Sequence, residues 1–285
     1  MSARRRRWPG LAAAMLLALC GCAHARNYPD PVGPRYSGRH AVADPDPALR
    51  VVTFNVKWGR AIDTVAELLR TEPALREPDL VFLQEMDSRG VEKLAATLGY
   101  DYVYYPAAYH PRAHQDFGNA VLSRWPMVDD RKLVLPELHR FRRMQRIAVA
   151  ATVLIAGMPV RVYSVHLETM VAIEGPQRRH QLEPILADAA RYPRVIVAGD
   201  FNNRDLVGRV FEKADFTWIT RDLGATLRFF CWDHVFARGL EAPPPKGRGI
   251  VADNNGASDH LPVWVDLPLP VQQPAAAQAV PTASR

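Results

Sequence analysis

Cysteine is scarce in this 285-residue chain: there are three. Cys20 and Cys22 lie close to the start, so Cys231 has no partner further on and no disulfide framework can form. Beyond the N-terminus no run approaches the ~20 apolar residues that a membrane helix needs. The chain has neither His-x-Glu-x-x-His nor paired-cysteine spacing, which argues against zinc. Excess positive charge is also smaller than it looks. The formal charge is +6, but Arg4, Arg5, Arg6 and Arg7 sit in an N-terminal segment without an acid, and without them 32 basic residues face 30 acidic ones. A protein that coats nucleic acid by uniform basicity is therefore excluded. With 48% apolar and 23% charged residues, a disordered or collagenous chain is excluded too.

Residues 1–22 read as an export signal: a positive n-region, the apolar run Leu11–Cys20, and a cleavage site. Leu19-Cys20-Gly21-Cys22 resembles a bacterial lipobox, which implies cleavage after Gly21 and lipidation of Cys22. Cleavage after Ala23-His24-Ala25 is the alternative and would release a soluble periplasmic or secreted protein. Ala23, rather than an aspartate, follows Cys22. By resemblance to other lipoproteins, that permits sorting to an outer membrane. The lipid would be the only membrane attachment, and no obligate protein partner is implied.

Residues 23–49 hold five prolines and read as a tether, whereas 268–285 form a Pro/Ala/Gln-rich tail expected to be disordered. Between them no linker or repeat interrupts one domain, 50–267. Inside it, Ile62, Val65, Ala66 and Leu69 follow helical spacing. So do Val91, Leu94, Ala95 and Leu98, and Leu182, Ile185, Leu186 and Ala189. Pro184 should start or kink the third helix. Short β-branched runs predict strands at Val51–Val56, Leu80–Gln84, Ala120–Ser123, Ile147–Ile155, Val160–Leu167, Val195–Ala198, Trp232–Phe236 and Val263–Val265. Several are apolar on both faces, so both faces should be covered. That pattern predicts an α/β chain of sheets packed on each other with helices outside. Cys231 reads as a small buried hydrophobe.

Polar residues collect at the strand ends. The strands run into Asn55, Glu85, His166 and Asp200, with Asn202 two residues on. Asp233 lies in a strand, and Asp259-His260 precede the last one. A polar group at the end of a buried strand costs several kcal/mol unless it is paired, solvated or metal-bound. So many of them point to one shared cleft. Asn55, Glu85, Asp200, Asp233 and Asp259 offer hard oxygens, which suit Mg²⁺ or Mn²⁺. Histidines beside carboxylates suit acid–base work near neutral pH. Together they suggest metal-assisted hydrolysis of a phosphate ester.

Seven segments then carry a resemblance: TFNVKWG at 53–59, DLVFLQEMD at 79–87, FGNAVLSRWP at 117–126, VYSVHLE at 162–168, VAGDFNN at 197–203, CWDHVFARG at 231–239 and SDHLPVWV at 258–265. In this order they resemble the endonuclease/exonuclease/phosphatase superfamily, with its deoxyribonuclease-I-like fold. The resemblance implies a four-layer α-β-β-α sandwich of two packed mixed sheets. It also implies roles by position. Glu85 is the principal metal ligand, helped by Asn55 and Asp259. Asp200 orients or deprotonates the attacking water, and Asn202 holds a phosphate oxygen. His260 contacts the scissile phosphate while Asp233 holds its imidazole. His166 resembles the histidine near the leaving group in the deoxyribonuclease-like branch and tilts away from the abasic-site endonucleases. Asn119 borders the cleft in relatives. His234 looks like a packing position held by an aromatic in relatives.

Substrate clues are fewer. Arg140, Arg142, Arg143 and Arg146 cluster, and Arg146 is the best candidate to touch a phosphate. Tyr100, Tyr102 and Tyr104 alternate onto one face, which suits packing; a stacking platform is the alternative. The expected activity is an exported, Mg²⁺-dependent phosphodiesterase acting on nucleic acid or on phospholipid or inositol-phosphate headgroups. A phosphomonoesterase of the same fold and a non-enzymatic surface binding module are the alternatives.

Overall fold

The structure is a computed structural model that describes residues 25–40, 48–111 and 113–269. The expected export segment with Cys22, and 270–285 of the expected tail, lie outside the described residues. Among the described residues no helix is long and apolar enough to cross a membrane.

Two mixed sheets face each other. The first has eight strands. Its centre is β3 (Ala48–Asn55) beside β4 (Leu80–Met86), flanked by β6 (Gln115–Ser123) and β5 (Asp101–His110) on one side. On the other side lie β14 (Val263–Pro268) and β13 (Arg248–Ile250), while β1 (Arg26–Asn27) and β2 (Tyr36–Gly38) both pair with β5. The second sheet has six strands in the order β11 (Thr217–Trp218), β12 (Asp233–Arg238), β10 (Val195–Asp200), β9 (Met158–His166), β8 (Arg146–Ile155) and β7 (Met127–Leu135).

The period-two geometry of a strand sends alternate side chains to opposite faces, and here both faces are apolar. Val51, Leu80, Phe82, Ile196 and Ala198 point into the core between the sheets. Val52, Val81 and Leu83 instead meet α1 (Ile62–Thr71) and α2 (Ser88–Leu98) through Val65, Leu69, Val91 and Leu94. Val195 and Val197 meet α3 (Gly175–Ala189) and α4 (Asp205–Lys213) through Leu182, Ile185, Val207 and Phe211. The result is the α-β-β-α sandwich expected from sequence, and each strand that was predicted lies in one of the two sheets.

Two local readings need correction. Part of the expected tether is built into the domain, because Arg26–Asn27 and Tyr36–Gly38 add to the edge of β5. A bare strand edge seeks backbone partners, and these short segments supply them. Pro184, expected to start or to kink its helix, lies inside α3. Cys231 is only partly buried, just before β12. Sequence reading also missed β5 as a strand; Tyr100, Tyr102 and Tyr104 pack in the cluster beneath α2.

Candidate active site

The strand ends that carry polar residues meet at one edge of the sandwich. In the second sheet Asp200 is registered opposite both His166 and Asp233. The close approach of β9 and β10 needs glycine just before Asp200: a Cβ on Gly199 would lie 1.9 Å from the Val165 carbonyl oxygen. In the first sheet the β4–β6 register shifts between Leu83 and Met86, and Glu85 there adopts φ +60°. Such an irregularity re-aims a side chain at the end of a ladder. Gln84 stays sealed between the sheets, while Glu85 lines a pocket of about 230 Å³.

That pocket is also lined by Lys57, Trp58, Arg146, His166, Asp200, Asn202, Trp232, Asp259 and His260. Asn55 lies against it: its Nδ2 donates to Asp200 Oδ2 at 3.1 Å and to Glu85 Oε1 at 3.4 Å. Asp200 accepts the Asn202 backbone N–H at 2.8 Å and stands 3.4 Å from His166 Nε2 and 3.7 Å from His260 Nε2. The Asn202 side chain is turned to the Leu167 carbonyl, 3.1 Å away. Behind His260, Asp233 Oδ2 is 2.8 Å from Nδ1. This contact fixes the ring and leaves Nε2 facing the pocket.

The charges follow from this arrangement. Burial works against a His260 imidazolium, but Asp233 and Asp200 outweigh it and raise the group to about 10. Burial also lifts Asp200 to about 7, against the pull of His260. His166 is driven well below its usual value by burial and by Arg146, so it is neutral. Arg146 Nη1 stands 3.0 and 3.1 Å from the two ring nitrogens of His166. Its Nε and Nη2 are gripped by Glu168 at 3.1 Å each. This fork-to-fork ion pair is buried on both sides and sets the guanidinium rigidly at the pocket wall.

The donors fit a hard divalent cation. Glu85, Asp259 and Asp200 bring carboxylates to one pocket, and no sulfur is among its lining residues. Burial raises the Glu85 carboxyl, with Arg146 and His260 only partly offsetting it; a dication would hold such a carboxylate ionised. Asp200, Asp233 and His260 also bring ligand atoms within 4.8 Å of one another. The short His260–Asp233 hydrogen bond commits that trio to proton chemistry instead.

Asn55, Asp233 and Asn119 do not line the pocket themselves; the first two bond residues that do, whereas Asn119 Nδ2 donates to the Ile147 and Ser164 carbonyls at 3.0 and 3.2 Å, tying the first sheet to the second. Sequence reading gave no role to Glu168, which lies two residues past His166 in VYSVHLE and holds Arg146. It also passed over Lys57, whose Nζ is 3.1 Å from Asp259 Oδ2, and Trp232 on the pocket wall.

The family model for the endonuclease/exonuclease/phosphatase family matches residues 52–260. The chain belongs to that family. Its members are metal-dependent hydrolases of phosphate esters, and so is this endonuclease/exonuclease/phosphatase protein. Comparison with curated proteins returned no match. Solved structures share the fold. An endonuclease/exonuclease/phosphatase from Beutenbergia cavernae DSM 12333 is 24% identical with a TM-score of 0.60, over 79% of this chain and 72% of that one. D. rerio TDP2 complexed with a single strand DNA product is 20% identical with a TM-score of 0.62, over 78% and 99%. The human nocturnin catalytic domain with bound sulfate is 18% identical with a TM-score of 0.61, over 83% and 98%.

Proposed function

We propose that this protein is an exported Mg²⁺-dependent phosphodiesterase that cleaves by in-line attack of water on phosphorus. The observation that carries the reading is the imidazolium of His260, held by Asp233, facing the Asp200 carboxylate across one small pocket. Asp200, raised to about 7, takes a proton from the attacking water near neutral pH. His260 and the clamped Arg146 guanidinium hold the charge on the non-bridging phosphoryl oxygens. Neutral His166 donates a hydrogen bond near the leaving oxygen. Glu85, Asn55 and Asp259 would hold the Mg²⁺, which would supply Lewis-acid stabilisation of the phosphoryl and leaving oxygens.

A diester suits this wall better than a monoester. Arg146 and His260 balance its single negative charge, whereas a dianion would be repelled more strongly by the carboxylates of Glu85, Asp200 and Asp259. The signal at 1–22 and lipidation at Cys22 would place the reaction outside the cytoplasm. The test is hydrolysis of plasmid, single-stranded DNA, RNA, sphingomyelin and inositol phosphates, with Mg²⁺, Mn²⁺ or chelator. At least one diester should turn over with Mg²⁺, and both Asp200→Ala and His260→Ala should lower that turnover by about a hundredfold or more. Hydrolysis of monoesters alone, or activity indifferent to both substitutions, would overturn the reading.

A further inference from the structure

Four of the seven large apolar side chains that stand exposed among the described residues are Phe141, Met170, Val171 and Phe229. All four lie on loops leaving one edge of the second sheet. Leu135 is registered with Arg146, Ala148 with Val165, and Asp200 with both His166 and Asp233. The loops 136–145, 167–174 and 226–232 therefore leave the sheet at the edge that bears the pocket. Thr169 and Trp232 on these loops line the pocket, and Phe230 stacks on Trp232 with ring centroids 4.4 Å apart and leads out to Phe229. Phe141 sits in Arg140-Phe141-Arg142-Arg143, all exposed.

The start of the described chain lies at the same place. The Ala25 backbone N–H donates to the Arg142 carbonyl at 3.2 Å, Asn27 Nδ2 donates to the Arg143 carbonyl at 2.7 Å, and Ala25 packs against the cluster of Ala108, Phe117 and Met144. Cys22 is three residues earlier, a reach of about 10 Å. Acyl chains on Cys22 would enter a membrane beside the loops rather than on the far side of the domain.

We propose that this edge docks on an anionic phospholipid bilayer, so that the substrate is a phosphodiester headgroup presented by that surface. Valine and methionine offer no ring face to a base but enter the acyl boundary readily, and the arginines match an anionic surface. The proposal rests on the phosphodiesterase reading for its substrate, but docking can be measured without catalysis.

The test uses the full chain carrying Cys22→Ser, with and without Phe141→Ser, Met170→Ser, Val171→Ser and Phe229→Ser together. Both proteins share one N-terminus, so their difference reads the loops alone. Flotation is measured with equimolar phosphatidylglycerol–phosphatidylcholine vesicles and with phosphatidylcholine alone. The four substitutions should weaken binding to the anionic vesicles by about tenfold or more. Arg140→Gln, Arg142→Gln and Arg143→Gln together should remove the preference for phosphatidylglycerol. Hydrolysis of bis(p-nitrophenyl) phosphate should be unchanged in both variants, whose unfolding midpoints check that they fold. Equal flotation with and without the four serines would overturn the proposal. So would a loss confined to binding of single-stranded DNA oligomers, which would make the loops a base-stacking platform. A fall of about a hundredfold or more in phosphodiester turnover in His260→Ala, with flotation retained, is the separate check on the underlying chemistry.

Discussion

His260 Nδ1 lies 2.8 Å from Asp233 Oδ2, with both residues buried and the second ring nitrogen toward Asp200. The contact fixes the ring's orientation and sustains its positive charge. His260→Ala should lower kcat by on the order of 10²–10⁴-fold. Asp233→Asn keeps the shape but removes the charge that holds the buried imidazolium, so kcat and the unfolding midpoint near pH 7 should both fall. The pH profile separates the roles: without Asp233 the imidazolium should titrate lower, and the alkaline limb of activity should shift to lower pH. An unmoved limb would mean that another group sets it.

Metal removal should be visible without turnover. If Glu85, Asn55 and Asp259 hold the ion, Mg²⁺ should raise the unfolding midpoint of the wild type, with about 2.7 kcal/mol gained at a hundredfold excess over Kd. Glu85→Gln should lose most of that rise, and chelator should abolish activity in the wild type. A midpoint that rises equally in both proteins would move the ion away from Glu85.

Much of this arrangement could be read from the chain. Strands with apolar residues on both faces required cover on both faces, and the alternation of Val51 with Val52 and of Phe82 with Val81 delivers it. Asn55, Glu85, His166 and Asp200 stood out because ionisable or amide groups ended otherwise apolar runs. What was hidden depended on tertiary contacts. β5 begins with aromatic and polar residues whose partners, Met86 for Tyr104 and Asp130 for Tyr105, are distant in the chain. The segment 25–40 looked like linker because it holds three prolines and no periodic apolar pattern, yet its few backbone donors complete an edge. Glu168 gave no signal of its own, since a carboxylate after a strand is ordinary until an arginine is found beside it.

Arg146 and Glu168 form a buried pair whose separate halves are costly. Burial opposes the Glu168 carboxylate, but Arg146 and the Thr169 N–H hold it below its usual range. Glu168→Gln strands the guanidinium and should cost about 3–5 kcal/mol of stability, measured by urea denaturation. Glu168→Asp, which keeps the charge but shortens the reach, should recover part of the stability and show a raised KM if Arg146 is displaced from the phosphate. A KM unchanged in a folded Glu168→Asp protein would argue against Arg146 as a phosphate contact.

Asn119 separates a binding role from a structural one. Its amide joins the Ile147 and Ser164 carbonyls across the sheet interface, so Asn119→Ala leaves two buried acceptors short of a donor. The expected loss is about 2 kcal/mol or more of unfolding free energy, with KM within twofold of wild type at about the precision of the assay. A large KM increase in a stable Asn119→Ala protein would return this residue to the substrate.

His234 predicts how the fold responds to acid. Burial lowers its group from 6.5 to about 4, with Asp233 pulling the other way. Trp218 Nε1 donates to Nδ1 at 3.4 Å, and burial outweighs the backbone contacts of Cys231 and Asn203 that favour the charged ring. The native ring is therefore neutral, and the unfolded chain takes up the proton first. Stability from this site is fully present above pH 6.5 and is lost as pH falls toward 4, about 2 kcal/mol of it by pH 5. Phenylalanine cannot titrate, and it keeps the edge-on contact with Trp218, 5.1 Å between centroids. His234→Phe should therefore gain about 2 kcal/mol on the wild type between pH 7 and pH 5 in urea unfolding. The surrounding groups contribute equally to both proteins, so the difference isolates this ring. Parallel stability curves over that range would show that His234 is already charged in the folded protein.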